Sequence, residues 1–375
     1  MPPKKPKHPK PQETTKPHQS EALAFVADVH IGNHKARDTN SHGGINERCA
    51  AALEALRQAI QQAIKSGAGT LIIGGDLVHS RRPEPAIIAA INRVLQTEAD
   101  RLGVVIIPGN HEMLDATAED GNTACAPLYP YATVINTPEW VPIGDWAHVL
   151  CIPFEGRIPM AEHIARTVTS MSGKGSPKGH RVLATHVGVY DDTAPPWLKG
   201  RDAIHAETLL ALLEANDISL ALVGNFHHHN DWSRNGHAVI QVGTLAPASY
   251  SDAGVFPNVG GMVLHDGPGS TDLVEVPGPR FLTEDIRYEA VAEKAPEGCL
   301  FHVRSKSPVG VLPNTKVEVD LLDDTPEVQR PDLPQVQDAG EALTSYVTGM
   351  DLPDDVPRDG VLSKVQALWS EAAGQ

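Results

Sequence analysis

Hydrophobic residues in this chain gather in short unbroken runs, each ended abruptly by a polar cluster. Five such runs stand at residues 23–27, 70–73, 104–107, 182–184 and 220–223. Parallel strands covered on both faces read this way, because neither side of the pleat meets water. Between the runs the spacing turns helical. Leu53, Leu56, Ile60 and Ile64 recur at three- and four-residue intervals, with Gly67 placed as a stop. Residues 86–102 carry Ile87, Ile88, Ile91, Val94 and Leu95 on one side and end at Gly103, and residues 203–215 carry Leu209, Leu210, Leu212 and Leu213. Three further strands are predicted at 237–242, 261–265 and 272–276, with no helix between them. An alternating first half that passes into a β-rich second half predicts an α/β protein with two sheets packed between helices.

The flanks differ from this main domain, which spans residues 21–280. Residues 1–20 are rich in Lys and Pro without an apolar centre, so they read as a disordered basic arm and not as a secretory signal. Residues 171–179 are Ser, Gly, Lys and Pro and are expected to form an exposed loop. Residues 281–322, with strands predicted at 300–304 and 316–321, suit a small β-rich cap. An acidic, Pro-containing linker follows at 323–337. Residues 338–375 hold two short amphipathic helices, the second bearing Val361, Leu362, Val365, Leu368 and Trp369.

The polar clusters carry the chemistry. They read Asp28-Val29-His30, Gly74-Gly75-Asp76, Gly109-Asn110-His111-Glu112, Thr185-His186 and Gly224-Asn225-Phe226-His227. Each falls where a strand stops, and ligands of open α/β sheets collect beyond the carboxyl ends of the strands. Carboxylate, amide and imidazole groups at one such edge are donors that divalent transition metals accept. Asp-x-His alone is common, and Gly-Gly-Asp also makes ordinary turns. Asn and His side by side after Pro108 and Gly109 have little purpose in a turn, and the ordered set points to a metal-dependent enzyme.

Charge and cysteines narrow the setting. Net charge is -16, from 31 Lys and Arg against 47 Asp and Glu, which argues against a broad non-specific nucleic-acid surface. A nuclease stays open, since metals and a partner could supply positive charge. Cys49, Cys125, Cys151 and Cys299 have neither zinc-ribbon nor redox spacing; Cys49 in a predicted helix and Cys151 in a predicted strand read as small buried hydrophobes. No stretch approaches the roughly 20 apolar residues of a membrane span. A cytoplasmic protein of a bacterium or of a phage-infected cell is expected.

Read in order, the clusters resemble the motifs of the calcineurin-like metallophosphoesterases, D-x-H, G-D, G-N-H-D/E, H and G-H-x-H, over residues 23–265. The resemblance implies a four-layer α/β/β/α sandwich with two metal ions bridged by Asp76. Asp28, His30, Asp76 and His227 would hold one ion; Asp76, Asn110, His186 and Asn225 would hold the other. Two ions about 3.5–4 Å apart activate a water at neutral pH and stabilise charge on phosphoryl oxygens. His111 is then the candidate general acid, a task to which imidazoles are suited near neutral pH. The donor mixture favours Mn²⁺, with Fe or Mg²⁺ as alternatives. The fifth cluster departs from the pattern. Keeping Gly224 directly after the strand places Asn225 where the family has its first His, and pairs it with His227. A second register would use His227 and His229 and put Phe226 in place of the glycine. His228 and His229 otherwise read as supporting or substrate-facing groups. His34, His42, His79, His205 and His237 read as surface or supporting residues.

Within that superfamily, the stretch from Gly74 through Asp76-Leu77-Val78-His79-Ser80-Arg81-Arg82-Pro83 resembles the SbcD-type repair nucleases and their phage relatives. Asp28-Val29-His30-Ile31-Gly32 does likewise, as do residues 242–247 and 276–281. This likeness implies a Mn²⁺-dependent DNA exo- or endonuclease, acting as a homodimer with an SbcC-like coiled-coil ATPase that docks on the terminal helices. A phosphomonoesterase or small-molecule phosphodiesterase would use the same site, and a non-catalytic scaffold on the same fold is the reading from another class.

Overall fold

A computed structural model of the chain describes residues 22–34, 41–98, 101–173, 175–247, 252, 261–277, 281–284, 300–305, 316–321 and 363–364. It divides into two compact units, Met1–Asp320 and Leu321–Gln375. The basic arm, the acidic linker, Cys299 and nearly all of the expected terminal helices lie outside the described residues; Ser363 and Lys364 are helical.

In chain order the first unit contains β1 (Ala22–Val26), the hairpin β2 (Ser41–His42) and β3 (Ile45–Asn46), α1 (Glu47–Lys65), β4 (Ala68–Ile73), α2 (Pro85–Glu98) and β5 (Gly103–Ile106). Next come β6 (Thr133–Val134), β7 (Glu139–Ile143), β8 (Ala147–Ile152), α3 (Met160–Met171), β9 (His180–His186), β10 (Gly188–Tyr190) and β11 (Ala203–His205). α4 (Ala206–Ala215), β12 (Leu220–Gly224), β13 (Asn230–Arg234), β14 (His237–Gln241), β15 (Gly261–Gly267) and β16 (Ser270–Glu275) follow. Last are β17 (Phe281–Glu284), β18 (Leu300–Ser305) and β19 (Lys316–Leu321), which form a three-stranded sheet of their own.

All five apolar runs are strands, but they belong to two different sheets. β1, β4 and β5 are parallel neighbours in a six-stranded sheet ordered β16-β15-β1-β4-β5-β6, whereas β9 and β12 are parallel neighbours in a second one ordered β13-β14-β12-β9-β8-β7. Three apolar layers tie the stack together. Phe25, Ile72, Val105, Val149, Ala184 and Leu222 meet between the two sheets. α1 and α2 cover the outer face of the first sheet through residues such as Leu56, Ile60, Ile87 and Ile91 packed on Val26, Leu71 and Ile73. Ile164, Val168, Leu209 and Leu213 of α3 and α4 cover the second against Leu150, Leu183 and Val223. The protein is thus a mixed α/β sandwich of helices, sheet, sheet and helices.

Some boundaries move for physical reasons. The helix expected over residues 203–215 starts at Ala206, because residues 203–205 pair in parallel with β10 instead. His205 then caps it, its Nδ1 accepting from the Glu207 N–H at 3.2 Å. α3 has no counterpart in the expected elements; its buried positions are Met160, Ile164 and Val168, a single row four residues apart. Cys49, Cys125 and Cys151 are buried free thiols, and burial pushes all three above the ordinary thiol range.

Candidate metal centre

The polar clusters come together because the chain leaves β1, β4, β5, β9 and β12 on the same side of the sandwich. Backbone pairing runs on past the first two strands: the His30 N–H donates to the Asp76 carbonyl at 2.8 Å and Ile31 to Leu77 at 2.9 Å. To bring side chains inward so soon after a strand, the backbone turns left-handed at Asp28 (φ 54), His30 (φ 50), Asp76 (φ 51) and Asn225 (φ 88). That region is sparsely used by non-glycine residues, with Asn, Asp and His the most tolerant of it. Gly75 (φ 97) lies against His186, and a Cβ there would stand 2.2 Å from its Nδ1. At Gly109 a Cβ would stand 2.4 Å from Asp76 Oδ1.

Asp76 is central and nearly fully buried. Its carboxylate lies 3.4 Å from His186 Nε2, 3.7 Å from His30 Nε2 and 3.9 Å from His111 Nε2, and accepts the His111 backbone N–H at 3.0 Å. On one side, His30 Nε2 and His227 Nε2 are 3.1 Å apart, with Asp28 Oδ1 3.8 Å from the latter. On the other, the amide end of Asn110 stands 3.1 Å from both Asp76 oxygens and from His186 Nε2. His111 turns its Nδ1 to the His79 carbonyl at 2.8 Å.

Asn225 is placed differently. Its backbone N–H donates to both oxygens of Asp28, at 3.1 and 3.0 Å, while its side-chain amide donates to the Asp202 carbonyl at 2.9 Å. His229 faces the Gln241 carbonyl at 2.9 Å, so of the two histidines in the second register only His227 stands beside His30. His79 approaches the cluster more closely than a surface residue would: His30, His79 and His111 form a group able to hold an ion, as do Asp28, His30 and His227, and Asp28, Asp76 and His186. His205 instead meets Asp192 at 3.1 Å, and His237 meets the Ile218 carbonyl at 2.7 Å.

The residues fit divalent metal. Carboxylate oxygens, imidazole nitrogens and an amide converge as lone pairs facing lone pairs, an arrangement that needs a cation or a turned amide between them. The buried Nδ1 of His30 has no hydrogen-bond partner among the described residues. Electrostatics agree. Burial works to keep His186 neutral, yet the carboxylates of Asp76 and Asp28 and the Gly74 carbonyl push it up to about 10. Burial likewise works to raise Asp76, but His186, His30 and His111 hold it well below the usual carboxylate range. Burial also pushes Asp28 up to about 6 and draws His30 down to about 3.

Two further carboxylates, outside the expected ligand set, support the site. Glu112 is fully buried and accepts from the backbone N–H groups of Asp76 (3.0 Å), Val78 (2.8 Å) and Gly109 (2.8 Å), joining the turns after β4 and β5. Burial and the neighbouring Asp76 push it up to about 8. Its place in the third motif was the available signal. Asp252 meets His227 Nδ1 at 2.8 Å and carried no such signal.

Among solved structures, the chain is similar to the protein TT1561 of Thermus thermophilus, at 14% identity over 69% of this chain and 100% of that one, with a TM-score of 0.44. It is also similar to a dimetal phosphatase from Danio rerio, at 14% identity over 70% of this chain and 100% of that one, with a TM-score of 0.41. No curated protein matches it. Residues 22–231, more than half of the 375, match the family model of the calcineurin-like phosphoesterases and carry all the clusters above, and the chain belongs to that family.

Proposed function

We propose that this phosphoesterase is a Mn²⁺-dependent phosphodiesterase that cleaves DNA, as the nuclease subunit of an SbcCD-like complex. The family uses a dinuclear metal centre, and here Asp28, His30, Asp76 and His227, with Asn110, His186 and Asn225 beyond the bridge, would hold the ions. Bound metal would supply positive charge to the phosphoryl oxygens and make a water nucleophilic at neutral pH.

The observation that carries the reading is the setting of His111. The His79 carbonyl accepts from its Nδ1, so Nε2 is the nitrogen left for proton transfer, 3.9 Å from Asp76 Oδ2 and on the wall of an open cleft. A protonated Nε2 there would give its proton to the departing ester oxygen, while Nδ1–H stays held. The likeness of residues 74–83 to the SbcD branch supports DNA as the substrate, and an SbcC-like ATPase and a second copy of the chain as partners. The net charge of -16 favours a second reading, a phosphomonoesterase or small-molecule phosphodiesterase.

Purified chain with Mn²⁺ is to be assayed on linear DNA, on bis-p-nitrophenyl phosphate and on p-nitrophenyl phosphate. Hydrolysis of both diesters, lost in Asp76→Ala, is expected. Turnover of the monoester with intact DNA, with and without a coiled-coil ATPase, would replace the nuclease reading with the second one.

A further inference from the structure

After β4 the chain turns back through His79, Ser80, Arg81 and Arg82, and this turn walls a cleft of about 600 Å³ completed by Asn110, His111 and Leu114. The turn is held in place. The His79 N–H donates to the Ile31 carbonyl at 3.0 Å, the Arg82 N–H donates to the Ser80 hydroxyl at 3.2 Å, and the His79 carbonyl accepts from His111. The segment that presents the two arginines therefore also fixes the ring of the candidate acid.

Both arginines are exposed, and neither guanidinium has an acceptor among the described residues. Their situation differs from that of Arg57, Arg157, Arg166, Arg181 and Arg234, each of which is paired with a carboxylate. In a chain with 47 acidic side chains, two adjacent unpaired guanidinium groups at one cleft mark a place for an anion from outside.

We propose that Arg81 and Arg82 form a specificity subsite for a second phosphate, carried by the substrate's leaving group. The inference rests on the phosphodiesterase reading above. With the reacting phosphate over Asp76 and Asn110 and the departing oxygen at His111 Nε2, whatever is attached to that oxygen enters the cleft. An uncharged alcohol would leave both guanidinium groups unused. A nucleoside bearing its own phosphate, as in a polynucleotide, would meet them. The substrate class is an ester whose leaving group is itself a phosphorylated nucleoside.

The test compares thymidine 3′,5′-bisphosphate with thymidine 5′-monophosphate as inhibitors of bis-p-nitrophenyl phosphate hydrolysis, and as ligands in equilibrium dialysis without substrate. Wild-type protein should prefer the bisphosphate by about tenfold, the worth of one charge-assisted contact. The preference should fall toward one in the Arg81→Gln, Arg82→Gln double variant and return in part in the Arg81→Lys, Arg82→Lys double variant. Equal binding of the two ligands by wild type, or a preference unchanged in the double variant, would overturn the subsite. A preference that behaves as expected beside uncut DNA would keep the subsite and remove only the nuclease reading.

Discussion

Asp252 Oδ1 meets His227 Nδ1 at 2.8 Å, and this contact leaves His227 Nε2 facing His30 Nε2 across 3.1 Å. A carboxylate on one ring nitrogen fixes the tautomer and makes the other a better donor to metal. Asp252→Asn should lower Mn²⁺ affinity by about 10–100-fold with the far-ultraviolet circular dichroism unchanged. Isothermal titration would check this; unaltered affinity would assign Asp252 a purely structural place.

Glu112 is expected to matter for stability. Its two oxygens take three backbone N–H groups, and Glu112→Gln replaces one of those oxygens with a donor. Leaving one or two buried N–H groups unsatisfied costs about 2–4 kcal/mol. Urea denaturation above pH 8, where Glu112 is ionised, should register that loss, whereas a change under about 0.5 kcal/mol, the range of an ordinary surface substitution, would contradict the clamp.

Gly75→Ala combines a strained backbone with a collision. At φ 97 the added methyl would lie 2.2 Å from His186 Nδ1, so either the turn or the imidazole must move. A displacement of about 1 Å at a reacting centre costs on the order of 100-fold in rate. Hydrolysis of bis-p-nitrophenyl phosphate should fall by at least that factor, and near wild-type turnover would mean that the turn yields without disturbing His186.

Away from the metal centre, His180 of β9 and His265 of β15 link the two sheets through Nε2 atoms 2.8 Å apart, with the Trp146 ring packed on both. Ser219 also meets His180, and Ser270 and Thr271 meet His265. Burial, with His265 beside it, draws His180 down to about 4, and burial draws His265 down as well. Unfolded histidine titrates near 6.5, so below that pH the unfolded chain binds more protons than the native one. The pair's contribution to stability is present above about pH 6.5 and declines as pH falls toward 4. Denaturation followed by tryptophan fluorescence at pH 7 and pH 5 should show a larger loss for wild type than for His180→Gln. Equal losses would place the pH dependence elsewhere.

The strand ends were legible because buried parallel strands must be apolar throughout, so the first polar residue after each run marks its end. Sheet membership was not, since the runs of β5 and β9 look alike and only the long segment between them, with β7 and β8 at the second sheet's edge, separates them. Local sequence also hides the partners of His227 and the split between β11 and α4. Asp252 lies 25 residues beyond His227 without periodicity to mark it. Ala203 and Ile204 suit a helix as well as a strand, and pairing with Val189 decides between them. The contacts of Asn225 are equally invisible to its motif position: its backbone N–H serves Asp28 and its amide N–H serves the Asp202 carbonyl.

The candidate ligands come from both sheets: Asp28, His30, Asp76 and Asn110 follow strands of the first, and His186, Asn225 and His227 close or follow strands of the second. An ion held by both groups would act as a rivet through the sandwich. Ligands that bind only the native state stabilise it by mass action. Chelation should therefore be felt well beyond the pocket, as faster amide hydrogen exchange along β1 and β12, the strands it would have pinned together.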